Sequence, residues 1–223
     1  DVKAASADLA AYETQFNAAL TRMRASEESI AIQRQSGLLT EAQARQQILT
    51  LEEIYQLAES FVTLGTRKIR LTGGEPLAQP NALPLMQRLA DLGCEVSLET
   101  SGALDVSKVD PRVSKVLDLK TPTSGEAHRN LLSNLDLLTA KDQIKFVICN
   151  REDYEWSKQQ VAEYQLDQKV STVWFSPAFA VEKGNAKLPR FARDLAQWIL
   201  DDHLPVRFQL QLHKLLWQDE TGR

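Results

Sequence analysis

Three short polar clusters stand at the ends of apolar-alternating runs, and their residue types suit the holding of a polar ligand. The first, Lys68-Ile69-Arg70-Leu71-Thr72-Gly73-Gly74-Glu75-Pro76, alternates like a half-buried strand and ends in two glycines, a carboxylate and a proline. Paired glycines let a ligand approach the backbone with no side chain in the way, and Glu75 adds a negative charge suited to an ammonium or hydroxyl group. The second, Leu98-Glu99-Thr100-Ser101-Gly102, sets a carboxylate and two hydroxyls before a glycine turn. The third, Asp118-Leu119-Lys120-Thr121-Pro122, brings an acid and an amine to one strand end. Each has a plainer reading: Gly-Pro and Ser-Gly pairs commonly make turns, and Asp118 with Lys120 is also an ordinary ion pair at a sheet rim. Three such clusters at successive strand ends favour one binding site over three unrelated turns.

The elements that must position them follow from hydrophobic periodicity. Strand-like runs recur near 67–72, 95–100, 115–120, 144–149, 172–176 and 206–211, mostly separated by helical stretches such as 82–92 and 153–165. Thr50 and Glu53 form a capping-box pattern ahead of a helix to about Leu64, closed by Gly65. This order predicts an α/β chain with a parallel sheet, open or curled into part of a barrel, whose ligands sit at the carboxyl ends of the strands. Residues 1–36 lack proline and glycine and space Leu9, Tyr12, Phe16, Ala19, Met23 and Ile30 like one face of a helix. Gly37 ends that helix, and Thr40 with Gln43 caps a second, so a helical hairpin is expected over 1–49 ahead of a domain over 50–223. Its apolar stripe reads as packing on a partner helix or on the domain, with a partner-binding arm as the alternative.

Composition narrows the classes. The 223 residues are 43% hydrophobic and 25% charged, which is ordinary for a globular protein, and a net charge of -4 argues against phosphate-backbone binding. Nucleic acid is not an expected partner. No apolar run approaches the roughly 20 residues that cross a bilayer, and the first residues lack the cationic and apolar regions of a signal peptide, so no membrane and a cytoplasmic location are expected. Cys94 and Cys149, the two cysteines, lie at or near strand runs and read as small buried hydrophobes. His128, His203 and His213 are scattered, so no ligand-spaced metal cluster exists along the chain.

Gly73-Gly74-Glu75-Pro76 resembles the motif by which radical S-adenosylmethionine enzymes hold the methionine amino group of their cofactor. Glu99-Thr100-Ser101-Gly102, Asp118-Leu119-Lys120-Thr121-Pro122, Lys145-Phe146-Val147-Ile148-Cys149, Trp174-Phe175-Ser176-Pro177 and Phe208-Gln209-Leu210-Gln211-Leu212-His213-Lys214 resemble the 7-carboxy-7-deazaguanine synthase family. That likeness runs from about residue 72 to the C-terminus. It implies a shortened (β/α)6-type barrel, often a homodimer, that converts a 6-carboxy-tetrahydropterin into 7-carboxy-7-deazaguanine on the route to queuosine. It also implies S-adenosylmethionine, a four-iron, four-sulfur cluster and magnesium. Carried over by position, Gly73, Gly74 and Glu75 would face the methionine end of the cofactor, Ser101 would lie near its polar groups, and Asp118, Leu119 and Lys120 would line its ribose. Thr72 would face the pterin, and the segment around His213 and Lys214 would close the substrate end, although His213 is also read as a structural histidine.

The departure from that family lies upstream. Its members need three closely spaced cysteines, Cys-x-x-x-Cys-x-x-Cys in most cases, because three thiolates hold three irons while the fourth iron chelates the cofactor. No cysteine precedes Cys94 here, and the expected hairpin stands where the first strand, the cluster loop and the magnesium residue would be. Residues 49–76 are also similar to the GTP cyclase that starts molybdenum cofactor synthesis, while 1–48 resemble neither enzyme. The resemblance thus implies a lyase core without its electron source, and a composite origin of the chain. The alternative is a cluster-free S-adenosylmethionine- or pterin-binding module with a helical interaction arm.

Overall fold

The computed structural model describes residues 50–178 and 190–212. The hairpin expected over 1–49, together with His213 and Lys214, lies outside the described residues. Among those described, 50–69 with Gln87–Cys94 form one compact unit, and Arg70–Met86 with 95–178 and 190–212 form the other.

In the first unit, helix α1 spans Leu51–Thr63 and starts at the capping box read from the sequence. Thr50 Oγ1 accepts from the Glu53 N–H at 3.2 Å, and the Glu53 carboxylate accepts from the Thr50 N–H at 2.8 Å, so two otherwise orphaned donors are satisfied. Arg88 braces the exposed side of this helix, donating to Glu52 at 2.8 Å while its guanidinium lies 3.7 Å from the centre of the Tyr55 ring.

The sheet contains β1 (Lys68–Leu71), β2 (Glu95–Thr100), β3 (Ser114–Leu119), β4 (Gln143–Ile148), β5 (Thr172–Pro177) and β6 (Arg207–Phe208). Spatial order equals chain order, and each pairing from β2 to β6 is parallel. Parallel strands in sequential order bring their carboxyl ends to one edge, as the alternation of strand and helix requires. Leu98, Leu117, Ile144, Phe146 and Phe175 are fully buried on one face. There they meet α3 (Arg151–Glu163) and α5 (Arg190–Asp201), with Phe146 edge-on to Trp156 and Tyr154 edge-on to Phe175 at ring-centre distances of 6.1 and 6.0 Å. Two further helices complete the order: α2 (Ala82–Asp91), between β1 and β2, and the single turn α4 (Leu166–Lys169).

The strand runs read from the sequence agree with these strands to within a few residues, but the crossovers do not all follow the pattern. β2 connects to β3 without a helix. β3 connects to β4 through three 3-10 segments, Pro122–Ser124, Ala127–Arg129 and Leu132–Leu137. Pro122 and Gly125 interrupt any helical run there, and the buried Asn134 side chain holds the loop instead. Its amide donates to the carbonyls of Gly102 and Leu104 at 3.1 and 2.8 Å and accepts from the Val106 N–H at 3.1 Å. Helix α5, conversely, has no counterpart among the stretches named from periodicity.

The opposite edge of the sheet is closed by a buried ion pair. Asp142 accepts from the Lys115 N–H at 2.7 Å, from the Thr139 N–H at 2.8 Å and from Thr139 Oγ1 at 3.0 Å, while Lys115 Nζ lies 3.1 Å away. Both side chains are shielded from solvent. Removing one partner strands the other charge, so Asp142→Ala is expected to lose about 3–5 kcal/mol of stability. Urea unfolding at neutral pH checks this; a loss under about 1 kcal/mol would show that Lys115 finds water or another partner.

Candidate ligand-binding site

The first strand end is fastened to the second by one carboxylate. After β1 the chain passes Gly73, at φ 132°, and Glu75 caps the 3-10 turn Pro76–Ala78 by accepting from the Leu77 N–H at 3.1 Å. The same carboxylate accepts from Thr100 Oγ1 at 2.9 Å, from the Ser101 N–H at 2.9 Å and from Ser101 Oγ at 2.5 Å. Burial raises the Glu75 carboxyl, but the hydrogen bonds from Ser101, Leu77 and Thr100 outweigh it and hold the group below its ordinary value. The free charge expected for a ligand ammonium is therefore already engaged by the end of β2. What the loop leaves open is backbone: an added Cβ at Gly73 or Gly74 would meet nothing within 4 Å.

The third strand end is braced from beneath. Lys120 Nζ pairs with Asp118 Oδ2 at 2.8 Å, and Asn130 clasps the Lys120 backbone, accepting from its N–H at 3.0 Å and donating to its carbonyl at 2.9 Å. Thr121 Oγ1 donates to the Val147 carbonyl at 2.9 Å. The fully buried Asp153 accepts from the N–H groups of Thr123 and Cys149, both at 2.9 Å. This ties the Asp118–Thr121 rim to the start of α3, where Asn150 is the N-cap.

These braces bring the expected residues to one edge. Thr72, Gly73, Gly74, Ser101, Asp118 and Lys120 border a cavity of about 110 Å³ that also touches Glu99 and Lys145. A larger space of about 590 Å³ adjoins it, sharing Gly74, Ser101 and Lys120 and adding Glu75 and Asn130. That volume lies within the range of small-molecule sites. Thr72 Oγ1 donates to Glu99 Oε2 at 3.1 Å, and Arg70 pairs with Glu99 at 2.9 Å. Asp118 borders the smaller cavity, and its Oδ1 is buried without a partner, an acceptor with a donor to gain.

Leu119 is a correction. Alternate strand residues face opposite sides, and its side chain is fully buried on the helix-covered face, so only its backbone reaches the rim. Asn130 and Asp153 were missed from sequence; Asn130 carries no motif, whereas the Asn150-x-x-Asp153 cap pattern was a usable signal. Cys149 is exposed, not buried as expected, and partial desolvation of its sulfur together with the Asp153 carboxylate pushes its thiol up. Cys94 is half-buried, in the residue that directly precedes β2.

The open glycine backbone and the orphaned Asp118 oxygen fit a ligand with ammonium and hydroxyl donors, such as S-adenosylmethionine. An iron-sulfur cluster does not fit the residues present: it takes three thiolates, and the chain has two cysteines. Among the described residues, no group of three His, Cys, Asp or Glu side chains could hold a metal ion. No helix among them is long and apolar enough to cross a membrane.

Residues 31–162 match the Radical SAM superfamily. The 7-carboxy-7-deazaguanine synthase of Koribacter versatilis is 43% identical over 158 residues, covering 69% of this chain and 70% of that protein. GTP 3',8-cyclase of Pseudomonas fluorescens is 61% identical over 61 residues, 26% of this chain and 18% of its own length. Streptococcus suis SuiB bound to S-adenosylmethionine superposes at a TM-score of 0.53 with 15% identity, covering 78% of this chain. The chain spans somewhat under half, 47%, of that solved structure, and the likeness is one of fold.

Glu75→Gln puts an amide donor against the donors of Thr100 and Ser101 and is expected to cost about 1–3 kcal/mol. Because the folded Glu75 carboxyl titrates below its ordinary value, its contribution is complete above about pH 4.3 and fades as pH falls through the depressed value. Urea midpoints measured from pH 6 to pH 3 should thus fall less steeply in the variant. Parallel pH profiles would remove Glu75 from that role.

Proposed function

Because the chain belongs to the radical SAM superfamily, and within it to the family of the 7-carboxy-7-deazaguanine synthases, we propose that its sheet edge is a binding core for S-adenosylmethionine and a carboxylated pterin that works without an iron-sulfur cluster of its own. The convergence of three strand ends, Thr72–Gly74, Ser101 and Asp118–Lys120, on one cavity carries this reading. The backbone at Gly73 and Gly74 would receive the methionine ammonium, Ser101 its polar neighbours, and Asp118 Oδ1 a ribose hydroxyl. Lys120 pairs with Asp118 Oδ2 at 2.8 Å, which leaves Oδ1 as the unpartnered oxygen. Thr72, oriented by its bond to Glu99, faces the pterin side.

In this superfamily the cluster supplies the electron for reductive cleavage of the cofactor. Two cysteines, one on either side of the β2–β4 region, cannot assemble it. The polypeptide therefore keeps the binding half of a lyase and lacks the redox half.

Equilibrium dialysis with labelled S-adenosylmethionine tests the binding half. Saturable binding is expected, weakened about 10-fold by Asp118→Asn, which loses a charge-assisted acceptor; absence of saturation contradicts the reading. Anaerobic treatment with iron and sulfide tests the redox half. Colourless protein with no 5'-deoxyadenosine release is expected, and turnover to the deazapurine acid would contradict it.

A further inference from the structure

Among the described residues, one cation bordering the cavity has no ion pair or hydrogen bond. Register places Lys145 on β4 beside Asp118 on β3, Trp174 on β5 beside Lys145, and Arg207 on β6 beside Trp174. Residues paired in register share a face of the sheet. The neighbouring cations are engaged: Arg70 with Glu99 at 2.9 Å, Lys120 with Asp118 at 2.8 Å, and Arg207 with its guanidinium 6.0 Å from the centre of the Trp174 ring. Lys145 is half-buried and borders the cavity, and its ammonium has no ion pair or hydrogen bond among the described residues. Its Nζ is not among the buried unpartnered atoms, so it stands open to solvent and to a ligand. Next to it, Asp118 Oδ1 is a buried acceptor without a donor.

With Asp118 given to the cofactor's ribose, Lys145 is the open donor left on this face, on the adjacent strand about 5 Å away in the sheet. On the next strand of the same face, Trp174 pairs in register with Lys145, and its indole Nε1 donates to Gln143 Oε1 at 2.7 Å. A fixed half-buried indole suits stacking by a flat fused heterocycle. The methionine end of the cofactor would sit at the β1–β2 rim, at Gly74 and Ser101, and Lys145 lies two strands further along, past Asp118. The carboxylate that reaches Lys145 is therefore the second ligand's.

We propose that Lys145 is the specificity residue that reads the carboxylate of the pterin ligand. This rests on the pterin-binding reading above. The probes are 6-carboxypterin and pterin, followed by their own fluorescence, with labelled S-adenosylmethionine measured in parallel.

Wild-type protein is expected to bind 6-carboxypterin about 10-fold more tightly than pterin, the size of one charge-assisted contact. Lys145→Met should erase that preference while leaving the affinities for pterin and S-adenosylmethionine unchanged, and Lys145→Arg should restore most of it. A preference that persists in Lys145→Met, or is absent from the wild type, overturns the assignment and leaves pterin binding standing. Weaker S-adenosylmethionine binding with an intact pterin preference also overturns it, since Lys145 would then read the cofactor's carboxylate. If the wild type binds neither pterin, the substrate reading and this inference fall together, while cofactor binding stands on its own dialysis result.

Discussion

The Glu75 carboxylate is the constraint on which the rest of the edge depends. Four donor groups converge on it, the N–H groups of Leu77 and Ser101 and the hydroxyls of Thr100 and Ser101. It thereby locks the exit of β1 to the exit of β2. The chain then turns at Gly102, with φ 72°, where an added Cβ would come within 3.1 Å of the Leu117 side chain. Glycine is required there on both counts. The tight turn lays the β2 exit against β3 at Leu117, one residue before Asp118 and the ligand face.

The same logic governs the third strand end. Asn130 and Asp153 satisfy backbone groups that a loop without helices would otherwise leave unpaired. With the rim's own polar groups matched to one another, few remain open. Those few, the glycine backbone, Asp118 Oδ1 and Lys145 Nζ, carry the proposed ligand contacts, and Asp118 Oδ1, buried without a partner, is the one that most needs a donor from what binds.

Local signals carried well from sequence to structure. The Thr50–Glu53 box forms as read, and strand limits follow the alternation, because both depend on neighbours within a few residues. The convergence of Thr72, Ser101 and Asp118 was legible too, since a parallel order places all strand ends together. What escaped was set by distant partners. The engagement of Glu75 depends on residues 25 and 26 positions away, and Asn134 and Asp142 bind backbone some 30 positions off. Leu119 was misplaced for a simpler reason: a motif taken as a block ignores that its middle residue points the other way. Cys149 followed strand composition, but it stands one residue past the end of β4, where the chain has left the core.

Family membership and the cysteine count pull in different directions, and the proposed reading answers both by separating binding from electron supply. The braces that shape the site involve neither Cys94 nor the thiol of Cys149, so the cradle is built independently of any cluster. The most direct test is a crystal structure of the iron-free protein grown with S-adenosylmethionine. The account predicts the cofactor at the carboxyl edge of β1–β3, its ammonium on the Gly73–Gly74 backbone and a ribose hydroxyl on Asp118 Oδ1. Cofactor density elsewhere on the protein, or an edge still empty at saturating cofactor, would contradict it.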